Sequence, residues 1–232
     1  MAQSHSLPLY VQISEMLIRD IQAGHLLAGE RLPPEREMAV TLGTSVGTLR
    51  KSLADLTKKG MLERRQGSGN YVTQGGTAES VYAFFRLELL EGGGLPTAEV
   101  LSVESLRKPD DLPKFGESDM AHRIRRLRRL SGRPAALEEV WLDAAVTPVL
   151  SATDLSESLY LFYKEKLGIW IQRAEDRVGL GVVPEWGKTL FPGVGDVMCQ
   201  VDRVSWDQEN QSVEFSRTWF DSEGIRYTSR IK

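Results

Sequence analysis

The chain has 232 residues, a net charge of −3, an ordinary apolar fraction and one cysteine. That length and composition fit a globular protein of one large or two small domains. No apolar run approaches the roughly 18–20 residues needed to span a bilayer, and the lone Cys199 rules out an internal disulfide. The start, Met1-Ala2-Gln3-Ser4-His5-Ser6, lacks the basic-then-apolar pattern of an export signal, so a cytoplasmic protein is expected. His5, His25 and His122 are scattered without metal-ligand spacing, and neither a metal nor a cofactor is expected.

Taken in chain order, Tyr10, Ile13, Leu17 and Ile21 recur at helical spacing and Gly24 closes the run. After Gly29 and Arg31-Leu32-Pro33-Pro34, a short second helix is predicted from about Glu35, with Met38, Ala39 and Leu42 inward and Gly43 ending it. Thr44-Ser45 offers an N-cap for a third helix whose buried stripe is Leu49, Leu53 and Leu56. Two helices joined by a tight turn are the helix-turn-helix layout. Beyond Gly60 the period becomes alternating, giving strands at 61–65 and 70–73 around the tip Gln66-Gly67-Ser68-Gly69. The whole reads as a winged helix.

Charge placement points the same way. Between residues 44 and 73 stand Arg50, Lys51, Lys58, Lys59, Arg64 and Arg65 against only Asp55 and Glu63. A locally basic segment in an acidic protein suits a DNA-binding head on a larger body. A small helical domain with a solvated basic face is the alternative reading of the same charges.

Residues 74–78 read as a linker, and the chain beyond them is strand-rich. Segments 81–90 and 98–107 suggest a hairpin across Gly92-Gly93-Gly94, with helix as the second reading of 81–90. Segments 123–130 and 136–142 suggest another, across Ser131-Gly132-Arg133-Pro134. A helix is predicted over 154–167, and strands over 169–182, 198–206, 213–220 and 226–231. The fold class is therefore α+β: an N-terminal winged helix-turn-helix, then an antiparallel sheet flanked by helices. On strand 123–130, Ile124, Arg126, Arg128 and Leu130 share a side. Such an arginine pair suits clamping a carboxylate or phosphate. A solvated strand and nonspecific nucleic-acid binding remain open alternatives.

These segments carry a resemblance. Leu7-Pro8-Leu9-Tyr10-Val11-Gln12-Ile13, Gly29-Glu30-Arg31-Leu32-Pro33-Pro34-Glu35-Arg36-Glu37-Met38-Ala39, the stretch 45–50 and Arg64-Arg65-Gln66-Gly67-Ser68-Gly69-Asn70-Tyr71-Val72 resemble the GntR family of bacterial regulators. The resemblance implies DNA contacts by Arg36, by Ser45, Val46, Thr48, Arg50 and Lys51 of the recognition helix, and by Arg64, Arg65, Gln66 and Gly67 of the wing. Val46 stands where the family usually has an arginine that reads guanine. It either touches a thymine methyl or joins the core. Pro34 stands where a capping serine is common.

Further on, Arg126-Leu127-Arg128, Gly132-Arg133-Pro134-Ala135-Ala136-Leu137-Glu138, Ser158-Leu159-Tyr160 and Val213-Glu214-Phe215-Ser216-Arg217 are similar to the UTRA domain of the HutC-type subfamily, whose sheet is chorismate-lyase-like. The resemblance implies an effector site lined by Arg126, Arg128, Glu138, Ser158, Glu214 and Tyr227. Ser222-Glu223-Gly224-Ile225-Arg226 departs from the family's pattern before that tyrosine. A cross-strand ion pair of Glu138 with Arg128 is the bland alternative. The implied division is a DNA-binding domain at 1–74, a linker at 75–80 and an effector-binding, dimerising domain at 81–232.

The expected function is that of a bacterial, cytoplasmic transcriptional regulator, a homodimeric repressor on a palindromic double-stranded operator, released by a small anionic metabolite and independent of any membrane. The rival readings are a DNA-binding adaptor without effector and a chorismate-lyase-like enzyme. No Ser/His/Asp or Cys/His constellation and no phosphate loop supports the latter, so no enzyme is expected.

Overall fold

The structure is a computed structural model that describes residues 7–74, 80, 82, 84–190 and 197–230. The linker expected at 75–80 falls mostly outside the described residues. The chain divides into two compact units, one built mainly on residues 7–85 and the other on 96–228.

In the first unit, α1 (Leu9–Ala23) buries Ile13, Leu17 and Ile18. Gly24 ends it with φ +78°, a left-handed turn that glycine adopts without steric cost. The short α2 (Glu35–Thr41) is entered through Pro34, which has no side chain to cap it. Glu35 and Glu37 in its first turn face the positive end of the helix dipole instead. In α3 (Val46–Lys58) the Ser45 hydroxyl accepts from the Thr48 amide at 3.1 Å. Ser45→Ala is therefore expected to destabilise the head by about 1 kcal/mol, read as a lowered urea midpoint at unchanged slope.

The wing comes next. β1 (Leu62–Arg65) pairs antiparallel with β2 (Gly69–Val72), from Leu62↔Val72 to Arg65↔Gly69. Arg31 adds a bridge to Tyr71, making a minimal third strand. Leu49, Leu53 and Leu56 of α3 close the core with Ile13, Leu17, Met61 and Val72. A buried carboxylate lies among them: Glu15 meets the Lys59 ammonium at 3.3 Å and accepts from the Ser80 hydroxyl at 2.6 Å. Burial disfavours the Lys59 charge, but Asp55 and Glu15 outweigh it and raise its pKa.

The second unit is a six-stranded sheet in the order β4-β5-β6-β9-β8-β7, every neighbouring pair antiparallel. Its strands are β4 (Pro96–Arg107), β5 (Met120–Leu130), β6 (Arg133–Asp143), β7 (Arg173–Val182), β8 (Val197–Trp206) and β9 (Ser212–Phe220). The β5–β6 hairpin forms as expected, with Ser131 and Gly132 both at positive φ. That is the sense of turn that matches strand twist. On one face, Leu127, Leu137, Met198 and Trp219 pack under the 3-10 helix Glu185–Leu190. Against the other stand α4 (Leu159–Phe162) and a π-type turn (Tyr163–Leu167).

Three expectations are corrected. Segments 81–90 and 98–107 do not form a hairpin. Among the described residues of 81–90, only Leu87–Leu89 is strand (β3), and it pairs with β10 (Ile225–Tyr227), while β4 pairs with β5. Hairpin signals are local, whereas these partners are chosen by burial of Leu87, Leu89 and Ile225. The helix predicted over 154–167 starts at Leu159, where the Ser158 hydroxyl caps it by accepting from the Leu161 amide at 3.3 Å. Of the strand expected over 226–231, only Arg226 and Tyr227 are strand among the described residues, as the end of β10.

Candidate nucleic-acid interface and ligand site

On the head, α2, α3 and the wing enclose a concavity of about 690 Å³ lined by Arg31, Arg36, Arg50, Arg64 and Arg65, with Glu35, Glu37 and the 66–70 tip. Five guanidiniums against two carboxylates leave the surface electropositive. Arg36, Arg64, Arg65 and Gln66 are exposed. Arg65 lies over the Tyr71 ring at 4.3 Å and meets Glu63 at 3.1 Å, which fixes its direction. Arg50 is exposed but donates from Nε to Glu35 at 2.6 Å. The tip hugs the body of the wing, because a Cβ at Gly69 would stand 3.3 Å from the Arg31 guanidinium.

Gln66 and Gly67 thus join Arg36, Arg50, Arg64 and Arg65 in one concavity. Ser45, Val46, Thr48 and Lys51 lie on the recognition helix outside its lining. Ser45 and Thr48 are hydroxyl to hydroxyl at 2.9 Å, so the cap occupies both. Val46 is half-buried and packs against the head's core. Of the two readings left open for it, the core reading describes its packing. Arg31 was missed by sequence reasoning; its position beside the glycine-rich tip is set by the bridge to Tyr71, which no local pattern signals.

In the second unit, β5, β6, β9 and β8 bring a polar cluster onto one face of the sheet. Arg126 stands directly across from Glu138. Its guanidinium donates to the Glu138 carboxylate from Nε, at 2.7 Å, and from Nη2. Arg126 and Arg128 each donate to the Glu157 carbonyl at 3.3 Å. The cross-strand ion pair exists, with Arg126 as the partner rather than Arg128, because the register sets Arg128 against Ala136. Burial alone would raise the Glu138 pKa, but the charges of Arg126 and Arg128 prevail and hold it below the usual carboxylate range.

Glu214 is buried and accepts from the Tyr163 hydroxyl at 2.7 Å, the Ser205 hydroxyl at 3.0 Å and the Tyr160 hydroxyl at 3.1 Å. Burial pushes its carboxyl above the ordinary range, assisted by the nearby charge of Glu138 and resisted by those three hydrogen bonds. Ser158 is buried and spends its hydroxyl on capping α4. The Tyr227 hydroxyl donates to Asp176 at 2.6 Å, and Asp176 holds Arg203 at 2.5 and 2.6 Å. Burial and the Asp176 contact push the Tyr227 pKa up to about 12.

Arg203, Asp176, Tyr160 and Tyr163 were not among the predicted site residues. Tyr160 lies within a quoted motif. Arg203 and Asp176 sit in β8 and β7 and become neighbours only through strand pairing. No group of three or more His, Cys, Asp or Glu placed to hold a metal ion occurs among the described residues. Among the same residues, no helix is long and apolar enough to cross a membrane.

Comparison with known proteins finds two family matches in the chain. Residues 9–72 match the bacterial regulatory proteins of the gntR family, and residues 91–226 match the UTRA domain. The chain is 56% identical to the HTH-type transcriptional regulator SmoD of Agrobacterium fabrum, over 98% of this chain and 97% of that one. It is 29% identical to MngR of Escherichia coli, repressor of a mannosyl-D-glycerate transport and metabolism system, over 95% of both. A ligand-binding domain from Bordetella bronchiseptica superposes with a TM-score of 0.57 at 22% identity, covering 65% of this chain and 99% of that domain, and so shares the fold. The chain belongs to the GntR family and is a DNA-binding transcriptional regulator of the HutC type, with a winged helix-turn-helix head and a UTRA domain.

Proposed function

We propose that this regulator is a homodimeric repressor which holds two winged heads on a palindromic operator and releases it when a small anionic metabolite binds the UTRA domain. The observation that carries the reading is the five-arginine concavity between α2, α3 and the wing. In this reading Arg36, Arg50 and the wing meet the phosphates and groove edges, with the heads about one helical turn apart. The chain divides at 1–74 and 81–232, works in the cytoplasm and acts by binding, without turnover.

Arg126, Arg128 and Arg203 supply positive charge on one face of the UTRA sheet, while Glu214 and the tyrosine hydroxyls supply hydrogen-bonding partners for a hydroxylated ligand. MngR acts in a mannosyl-D-glycerate system, and glycerate is a carboxylate. The effector favours release only through its higher affinity for the released arrangement. A second reading, an adaptor with a purely dimerising UTRA domain, is favoured by one observation: Arg126 is already satisfied by Glu138.

The experiment is footprinting of the promoter nearest the protein's own gene, with a library of sugar acids, sugar phosphates and other acidic metabolites added in turn. A protected palindrome that is released by one of them, with thermal stabilisation of the protein by the same compound, is the expected result. Protection that no compound releases, with no thermal shift across the library, supports the adaptor. No protected site on any DNA overturns the reading of the head.

A further inference from the structure

Two of the five arginines in the head's concavity are already held. Arg50 is bound to Glu35 at 2.6 Å, and Arg65 is bound to Glu63 at 3.1 Å and lies against the Tyr71 ring. Arg31 is exposed, and among the described residues no carboxylate pairs with it. Arg36 and Arg64 share that freedom, but Arg31 lies against the wing tip itself. A Cβ at Gly69 would stand 3.3 Å from its Nε and 3.8 Å from its Nη2. Its backbone is fixed as well. Gly29 donates to the Val72 carbonyl at 2.8 Å, Val72 to Glu30 at 2.9 Å and Leu32 to Asn70 at 2.9 Å, so residues 29–32 run as a third strand along β2. Leu32 is buried in the head's core, and alternation turns Arg31 the other way. Glu63 and Arg31 stand on either side of Tyr71, so Arg65 and Arg31 flank β2 on one face. Their backbones are two strand spacings apart, roughly 10 Å.

We propose that Arg31 is a specificity-determining residue, which enters the minor groove beside the wing tip and selects A·T-rich base pairs there. The proposal rests on the reading of the concavity as the DNA surface. With α3 in the major groove, a wing carried on the same core reaches the neighbouring groove, which is the minor one. That groove is about 6 Å wide, so whatever enters it must be slim. The tip has glycine at 67 and 69, and the unbranched side chain of Arg31 runs beside it. Base edges in this groove differ little between A·T and T·A, so discrimination there comes from shape. A·T-rich tracts narrow the groove and strengthen its negative potential, which draws an arginine in. Arg65 must give up Glu63 to follow that potential, whereas Arg31 gives up only water. A guanidinium sheds water more readily than an ammonium, so lysine is an incomplete substitute.

The test is selection from a random duplex library of about 30 base pairs, long enough for two half-sites and their flanks, by the full-length protein. The bound pools of wild type, Arg31→Ala and Arg31→Lys are sequenced. Wild type should enrich a motif with A·T-rich positions adjoining the bases read in the major groove. Arg31→Ala should enrich the same major-groove bases with the adjoining positions randomised. On single duplexes, exchanging those A·T pairs for G·C should weaken wild type roughly fivefold or more, the usual cost of a mismatched pair, and Arg31→Ala by under about twofold. Arg31→Lys should fall between the two. Arg31→Ala removes an exposed side chain and none of the backbone bonds of its strand, so its circular dichroism spectrum and melting temperature should match wild type. A wild-type motif without A·T-rich positions beside the major-groove bases, or an Arg31→Ala motif that keeps them in full, overturns the proposal and leaves the DNA-binding reading standing. A wild-type protein that enriches no sequence overturns the reading of the head, and this proposal with it.

Discussion

Arg36→Ala and Arg50→Ala are each expected to weaken operator binding roughly ten- to a hundredfold, the usual cost of losing one phosphate or base contact. Both side chains are exposed, so the fold should tolerate their loss. Titration of labelled operator at several salt concentrations separates their roles. Replacing a phosphate contact flattens the dependence of log affinity on log salt by about one unit. Replacing a base contact leaves that slope and relaxes sequence preference. Glu35→Ala is the informative companion. It frees the Arg50 guanidinium from its 2.6 Å bond, so operator affinity should hold or rise, and fall only if Glu35 serves to aim the arginine. If Arg36→Ala and Arg50→Ala both bind as tightly as wild type, the concavity is not the DNA surface.

Glu138→Leu should be the most destabilising single change in the UTRA domain. Arg126 is 3% exposed, and removing its carboxylate leaves a buried charge with inadequate compensation. Such losses typically cost about 3–5 kcal/mol. For a domain of this size that corresponds to a fall of roughly 6–20 °C in the unfolding midpoint. Glu138→Gln, which keeps an acceptor, should fall between, and the Arg126→Met, Glu138→Leu double variant should recover much of the loss. A Glu138→Leu protein that melts together with wild type would show that the pair contributes little to folding.

The same carboxylates give the domain a pH dependence of mixed sign. Glu138 and Asp176 are held below the ordinary range. For both, burial opposes the charge, and it is outweighed by Arg126 and Arg128 for Glu138 and by Arg203 for Asp176. Their stabilisation is present above the unfolded-state pKa and is lost as pH falls through the depressed values. Glu214 is raised, chiefly by burial. Its contribution is present below the unfolded-state pKa and is lost as pH rises through the raised value.

The head was legible almost residue by residue because its signals are local. Leu49, Leu53 and Leu56 recur at helical spacing, Ser45 caps and the wing tip is glycine-rich, and each feature fixes structure within a few residues of itself. The sheet was legible as strands but not as partners. The neighbours of β4 and β3 are determined by burial against segments distant in sequence, and the glycine run at 92–94 mimics a hairpin that does not form. The ligand site suffered most from this. Arg126 and Glu138 could be found by motif, but Asp176 and Arg203 meet only across the β7–β8 ladder.

The Arg50–Glu35 contact has a consequence for how the regulator finds its site. On the proposed interface, Glu35 is a built-in rival of the DNA for that guanidinium, with a small hold because the pair is exposed. Every encounter with random sequence must first pry the arginine away and gets back little more than a phosphate contact. With Arg50 as a base-reading arginine, the right base step would return a bidentate bond in exchange. On that reading the rivalry would shorten dwell times on the bulk of the chromosome more than on the target, so that search speed and discrimination would improve together.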